Sequence, residues 1–208
     1  MMMKKICAAA LAGAALLVSA QARAEDLSPG YVGAGIGVHS NYSATCYDFN
    51  GCNDKTNSSG KLYGGYTLGT RTGFAGHQLT DSLELSTFWI NGQFASANAG
   101  MSQYRKKTTG LSLSWATEME LGSGFALNSR IGLAFTRTRG EARDSLYGDS
   151  QSSGDDRIAP MAGLGLSYAL NRNWSLRADY DYVPIKTTSG SRGNGHVNMW
   201  TAGAAYHF

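Results

Sequence analysis

The sequence predicts an all-β chain, an eight-stranded up-and-down antiparallel transmembrane β-barrel. Three observations predict it. The first residues read as a secretory leader. The last residues alternate aromatic and small side chains. Between them lie eight segments whose apolar residues recur at every second position.

The leader is residues 1–24. Lys4 and Lys5 give a positive start, residues 6–20 form an apolar run, and Ala22-Arg23-Ala24 is a small-x-small cleavage site before Glu25. This is the layout of a signal peptide. The apolar run is shorter than the ~20 residues a helix needs to cross a bilayer. Cys7 precedes the run, whereas a lipid-bearing cysteine follows it. The barrel domain is therefore expected over residues 25–208. Of 18 Lys+Arg and 15 Asp+Glu, Lys4, Lys5 and Arg23 leave with the leader, so the remainder holds 15 of each sign. A neutral chain offers no basic surface for nucleic acid. No apolar run reaches 18 residues after the leader, so any membrane crossing must use strands in a closed barrel, which alone besides helices satisfies every backbone group in lipid.

Counting back from Phe208 by twos gives Tyr206, Ala204, Ala202 and Trp200. A strand in a bilayer needs aromatics at both interfaces and an apolar face between them. Trp200, Tyr206 and Phe208 match the signal by which outer-membrane barrels are recognised for assembly, so the barrel-assembly machinery is an expected partner.

The eight segments follow in order. Residues 31–39 place Val32, Ala34, Ile36 and Val38 opposite Gly33, Gly35 and Gly37. Residues 61–69 place Leu62, Tyr66 and Leu68 opposite Tyr63, Gly65 and Thr67. Residues 81–91 place Leu83, Leu85, Thr87 and Trp89 opposite Glu84, Ser86 and Phe88. Residues 109–117 place Leu111, Leu113 and Trp115 opposite Ser112, Ser114 and Ala116. Residues 125–138 place Leu127, Ile131, Leu133 and Phe135 opposite Asn128, Arg130, Gly132 and Ala134. Residues 158–170 place Ile158, Ala162, Leu164, Leu166 and Tyr168 opposite Met161, Gly163, Gly165 and Ser167. Residues 174–183 place Trp174, Leu176, Ala178, Tyr180 and Tyr182 opposite Ser175, Arg177, Asp179 and Asp181. The eighth is the terminal strand. Small residues opposite the apolar stripe suit the inside of a narrow barrel, which bulky ones would overfill. Long polar connections (residues 40–60, 92–108, 139–157 and 184–196) alternate with shorter ones (71–80, 118–124 and 171–173). Short periplasmic turns and longer extracellular loops are the habit of such barrels.

Lys61-Leu62-Tyr63-Gly64-Gly65-Tyr66, Leu83-Glu84-Leu85 and the run from Gly163 to Tyr180 resemble the membrane domain of outer membrane protein A and its stand-alone relatives. An ending at Phe208 leads to the expectation of a barrel without that family's peptidoglycan-binding domain. The resemblance implies charged residues inside the barrel, and Glu84, Arg130, Arg177 and Asp179 occupy inward positions. The family's strand-four lysine is replaced here by Ser112 or Ser114, so no gating switch is carried over. Charges in a narrow lumen must pair, because an unpaired buried ion is costly. Their strands are not neighbours, so the expectation is that Arg177 meets Glu84 or another inward acid across the lumen, that the cluster plugs the pore, and that removing a member raises conductance.

The expected function is a non-enzymatic outer-membrane protein that contributes to envelope integrity and to surface interaction or adhesion through extracellular loops. Its partners are outer-membrane lipid, lipopolysaccharide and a host or surface ligand; no cofactor or metal is expected. The alternatives are a lipid A-modifying enzyme and a narrow small-solute channel. His39-Ser40 is a poor catalytic dyad, because adjacent strand residues point to opposite faces. His77, His196 and His207 show no Ser–acid partners in sequence. Cys46 and Cys52 are the two cysteines after the leader. A disulfide between them is expected in an oxidising compartment, restraining the loop of residues 40–60. It should resist alkylation in native protein until reductant is added, and its ring should contribute about 2 kcal/mol. Free thiols in the assembled protein would refute it.

Overall fold

In the computed structural model, the structure describes residues 30–43, 53–73, 76–95, 102–144, 150–186 and 194–208. Eight strands follow in chain order: β1 (Gly30–Ser43), β2 (Asn53–Thr72), β3 (Gln78–Ala95), β4 (Ser102–Gly122), β5 (Phe125–Asp144), β6 (Ser150–Ala169), β7 (Trp174–Lys186) and β8 (Asn194–His207). Each pairs antiparallel with its sequence neighbour, and β1 pairs with β8, closing the ring. The closure runs from Tyr31↔His207 to Ser43↔His196, with a bulge between Gly37 and His39. Phe208 N donates to Gly30 O at 3.1 Å, tying the two ends at the periplasmic side.

The predicted faces are the observed ones. Leu62, Leu83, Leu113, Trp115, Ile131, Leu133, Leu164, Leu176 and Trp200 all lie on the outside with large exposed surfaces. An apolar outer wall is what lipid requires. Aromatic pairs cap that band: Phe125–Tyr168 and Trp174–Tyr206 towards the turns, and Tyr180–Trp200 towards the opposite end. Tyr206 and Phe208, ring centres 5.3 Å apart, belong to the turn-side belt, and Trp200 to the opposite one.

One outward position at the turn end of the apolar wall is acidic. Asp81 lies on the same face as Leu83, near the turn end of β3. Its carboxylate accepts from Arg71 Nε at 2.7 Å, Trp115 Nε1 at 3.2 Å and Thr117 Oγ1 at 2.7 Å. Three donors on β2 and β4 compensate a carboxylate that would otherwise face hydrocarbon.

The strand lengths correct the reading of the long connections as loops. β2, β4, β5 and β6 run for 20, 21, 20 and 20 residues, while β1, β7 and β8 have 14, 13 and 14. Residues 102–108, 139–144 and 150–157 pair as ladder although they carry no apolar stripe. Beyond the membrane neither face has to be apolar, so alternation of hydrophobicity stops before the strand does. The sheet stands tall over β2–β6 and low over β7, β8 and β1.

The short connections are tight. Gly122, Ser123 and Gly124 all take positive φ between β4 and β5 (91°, 54° and 81°), a conformation glycine adopts without steric cost.

Candidate functional site

The lumen holds a charged layer, and its membership follows from strand parity. Lys61 on β2 shares a face with Tyr63. Glu84 on β3 lies between outward Leu83 and Leu85. Arg130 on β5 precedes outward Ile131. Arg177, Asp179 and Asp181 alternate on β7 with Ala178 and Tyr180. All six are at most 7 % exposed.

The structure brings the four residues singled out in sequence together. Arg177 Nη1 lies 3.2 Å from Glu84 Oε2 and Nη2 lies 3.7 Å from Asp179 Oδ1. Arg130 reaches Asp179 at 3.1 Å and Glu84 at 3.8 Å. Two further members were not singled out. Asp181 accepts from Arg130 Nη2 at 2.9 Å and from Lys61 Nζ at 3.0 Å. Lys61 also lies 3.6 Å from Glu84 and 3.9 Å from Asp179. The lysine of the cluster therefore comes from β2; Ser112 and Ser114 on β4 bond instead to Ser86 Oγ and Glu84 O. Both missing members carried a legible signal: Lys61 has the parity of Tyr63 and Gly65, and Asp181 that of Arg177 and Asp179. Three cations face three anions, so the layer is neutral.

Tyrosines complete it. Tyr31 Oη donates to Glu84 Oε2 at 2.9 Å. The Arg177 guanidinium lies 4.5 Å from the Tyr63 ring centre and 5.7 Å from that of Tyr31, a cation–π arrangement. Some contacts are electrostatic without being hydrogen bonds: Glu84 Oε1, Arg130 Nε and Nη1, Arg177 Nε and Asp179 Oδ1 have ionic neighbours but no hydrogen-bond partner. Space for the β7 charges comes from glycine. Gly163 pairs with Asp181, Gly165 with Asp179 and Gly203 with Arg177. A Cβ at Gly163 or Gly165 would run into the Asp181 or Asp179 carboxylate.

Two other layers flank the charges. On the extracellular side Phe88, Ile90, Ala134, Met161, Val183, Ile185, Val197 and Met199 form a buried apolar cluster inside the lumen. On the turn side, Glu118 accepts from Ser167 Oγ at 3.3 Å. There His207 Nε2 also lies 3.0 Å from Ser175 Oγ. The sequence shows no Ser–acid partners for His207; the structure supplies the serine. Among the described residues no carboxylate orients the imidazole, so the pair lacks the third member a serine nucleophile needs. His77 Nδ1 lies 2.8 Å from Glu120 O on an exposed turn, and His196 stacks on Tyr182. His39 and Ser40 are adjacent on β1; their side chains, the leader, Cys46 and Cys52 lie outside the described residues. No group of three or more metal-ligating side chains occurs among the described residues.

Removing one charge strands its partners in a dry interior. Arg177→Ala should cost about 3 kcal/mol, read as a shift in urea unfolding of the refolded barrel. Unchanged stability would show that the cluster carries no net strain when broken. The apolar layer stands in series above the charges, which alters the conductance expected from the sequence: in planar bilayers Arg177→Ala should conduct no better than the parent. A rise would make the charged layer the sole barrier.

Residues 8–208 match the family model described as outer membrane protein beta-barrel domain. The chain is 26% identical over 208 residues to outer membrane protein A of Serratia marcescens, spanning all of this chain and 56% of that protein. A second match, to outer membrane protein A of Serratia odorifera, is 32% identical over 81 residues, 38% of this chain and 33% of that one. The chain thus spans about half or less of the curated relatives it matches. Among solved structures, Neisserial surface protein A superposes with a TM-score of 0.55 at 20% identity, covering 88% of this chain and 100% of that one. Ail, the attachment invasion locus protein of Yersinia pestis, superposes with 0.53 at 16% identity, covering 86% and 97%. Ail has also been solved with the heparin analogue sucrose octasulfate. At these identities the likeness is one of fold. An apolar outer wall, a filled and neutral lumen and the matched family place the protein in the bacterial outer membrane, and the chain belongs to the outer membrane protein β-barrel domain family.

Proposed function

We propose that this protein is a non-enzymatic surface barrel that supports the outer envelope and binds anionic groups at its extracellular rim. The observation that carries this reading is the outer face of β4 and β5 just above the apolar belt. Lys107 pairs directly with Arg139 in the ladder, and Arg137 follows one step nearer the membrane opposite Thr109. All three face outward and are exposed. Like charges directly opposite one another destabilise a sheet. Asp156 answers Arg137 at 3.4 Å, and the three cations stand together on one outward strip of the two strands. Leu111, Leu113, Leu133 and Phe135 lie immediately below. The position is the height at which an outer-leaflet glycolipid carries phosphate. Ail's complex with a sulfated sugar supports a polyanion as the class of ligand, and Ail's description as an attachment protein supports surface attachment as a role.

The filled lumen supports the rest of the reading. An eight-stranded barrel is just wide enough inside for side chains or one small ligand, and here the charged layer and the layers flanking it leave no open channel. That leaves the outer wall and the tall β2–β6 rim as the working surfaces. Trp200 and Tyr206 on the outer face of β8, with Phe208 just after it, are proposed as the row read by the assembly machinery.

The test uses the full mature barrel in nanodiscs on immobilised heparin and on bisphosphorylated lipopolysaccharide. Replacing Lys107, Arg137 and Arg139 with Gln should weaken retention about ten-fold at low salt, equivalent to about 1.4 kcal/mol, with a shallower salt dependence. Equal retention by the triple variant would remove the cationic face from the function. The enzymatic alternative is checked by mass analysis of lipid A from expressing cells: acyl number should be unchanged. A change lost on His39→Ala would overturn the non-enzymatic reading.

A further inference from the structure

The β6–β7 ladder stops early. Its last pair is Ala162↔Tyr182, although both strands continue to Ser150 and Lys186. The continued register would set Pro160 directly against Pro184. Backbone direction can be read from the turn. Leu170 N donates to Trp174 O across to β7, while Ala169 N donates to Gly124 O on the β5 side. Even-numbered residues of β6 therefore aim their N–H at β7. On β7, Trp174 O faces β6 while Asn173 O accepts from His207 N on the β8 side, so even-numbered residues of β7 aim at β6. No register shift interrupts either strand up to the prolines. Pro160 and Pro184 thus face each other at a point where the ladder would exchange two hydrogen bonds, and neither has a donor. Two of the chain's three prolines are spent on this one pair. Above it, the described link between the strands is a side chain: Arg157 Nη1 donates to Ile185 O at 2.9 Å.

What lies on each side of this seam is apolar. Outside, Ile158, Ile131 and Leu133 are 69 %, 72 % and 58 % exposed, so on its β6 side the seam borders the extracellular edge of the apolar wall. Inside, Met161 on β6 and Val183 and Ile185 on β7 belong to the apolar lumen layer, with Val197 and Met199 behind them. The floor of that layer is the charged cluster, where Asp181 is bound by Lys61 and Arg130. Everywhere else among the described pairings a continuous ladder separates hydrocarbon from lumen at this depth, except β1–β2, which ends at Ile36↔Gly60 beside no proline.

We propose that the β6–β7 seam is a lateral port, through which an acyl chain of an outer-leaflet lipid enters the apolar layer of the lumen. Parting the strands here breaks no ladder hydrogen bond. Met161 and Met199 are the side chains that make room, since unbranched thioethers repack at low cost. The charged floor stops the chain from passing further, so the port is a binding site and not a route through the barrel. The occupant is hydrocarbon because hydrocarbon is what covers Ile158 and Leu133. The inference does not depend on the cationic face of β4 and β5.

The experiment reconstitutes the mature chain in nanodiscs containing a phospholipid with a diazirine at the end of one acyl chain, irradiates, and maps the adducts by mass spectrometry. Adducts are expected on lumen-facing Met199, Val197 or Met161 as well as on lipid-facing Ile158 and Leu133. Pro160→Val with Pro184→Val restores both donors and should abolish the lumen adducts while the outer ones persist. A second closure, Met161→Cys with Val183→Cys, should abolish adducts on Met199 and Val197 when oxidised and restore them on reduction, with the parent unaffected by reductant. Adducts confined to outward residues in the parent would overturn the port. So would lumen adducts that survive both closures.

Discussion

A backbone amide has no partner in hydrocarbon, and every other feature of this protein descends from that. Eight strands can satisfy their N–H and C=O groups in lipid only by joining the last to the first, and the β1–β8 pairing does so from Tyr31 to Ser43. Closure with eight strands fixes a narrow tube. A narrow tube forces its inner residues to be small or to meet across the axis. The glycines of β1, β6 and β8 take the first course, and the cluster around Glu84 takes the second.

That cluster is an expensive way to fill space. Burying six charges costs solvation that their attraction repays only in part, and several of the contacts lack hydrogen-bond geometry. A hydrocarbon filling would be cheaper, as the layer formed by Ile90, Val183 and Met199 shows a few ångströms further along. What the charges add is uniqueness. Lys61, Arg130 and Arg177 find their partners only if β2, β3, β5 and β7 hold one register. A slip of one residue would turn every one of them to lipid. The charged layer therefore selects the register, and the apolar layer contributes the burial.

Most of the wall was legible in the sequence because lipid imposes a period of two on it. The segment from Trp174 to Val183 shows this well: its apolar and charged residues separate cleanly, and each charge lies beside a glycine on the next strand. The reading failed where that constraint lapses. Residues 102–108 and 150–157 pair as strand in water, where no alternation is demanded, so their polarity looked like loop. Lys61 was missed because it opens a segment and is followed by outward Leu62. Asp181 has inward parity, but Glu84, Asp179, Arg130 and Arg177 already balance two acids against two bases, so the sequence gives no reason to add it. The mutual approach of Pro160 and Pro184 depends on register between distant strands, which no local pattern carries.

The outward carboxylate of Asp81 has a mechanical meaning. Its three donors come from the strands on either side, and Trp115 is among them, an amphipathic ring suited to the boundary between headgroups and hydrocarbon. Moved deeper, Asp81 and the exposed Arg71 would lose water; moved outward, Leu83 and Leu113 would gain it. Displacement in either direction is opposed, so the group acts as a depth stop on the inner side of the membrane. Because it sits on β2–β4 alone, it restrains one flank, and that flank carries part of the tall rim.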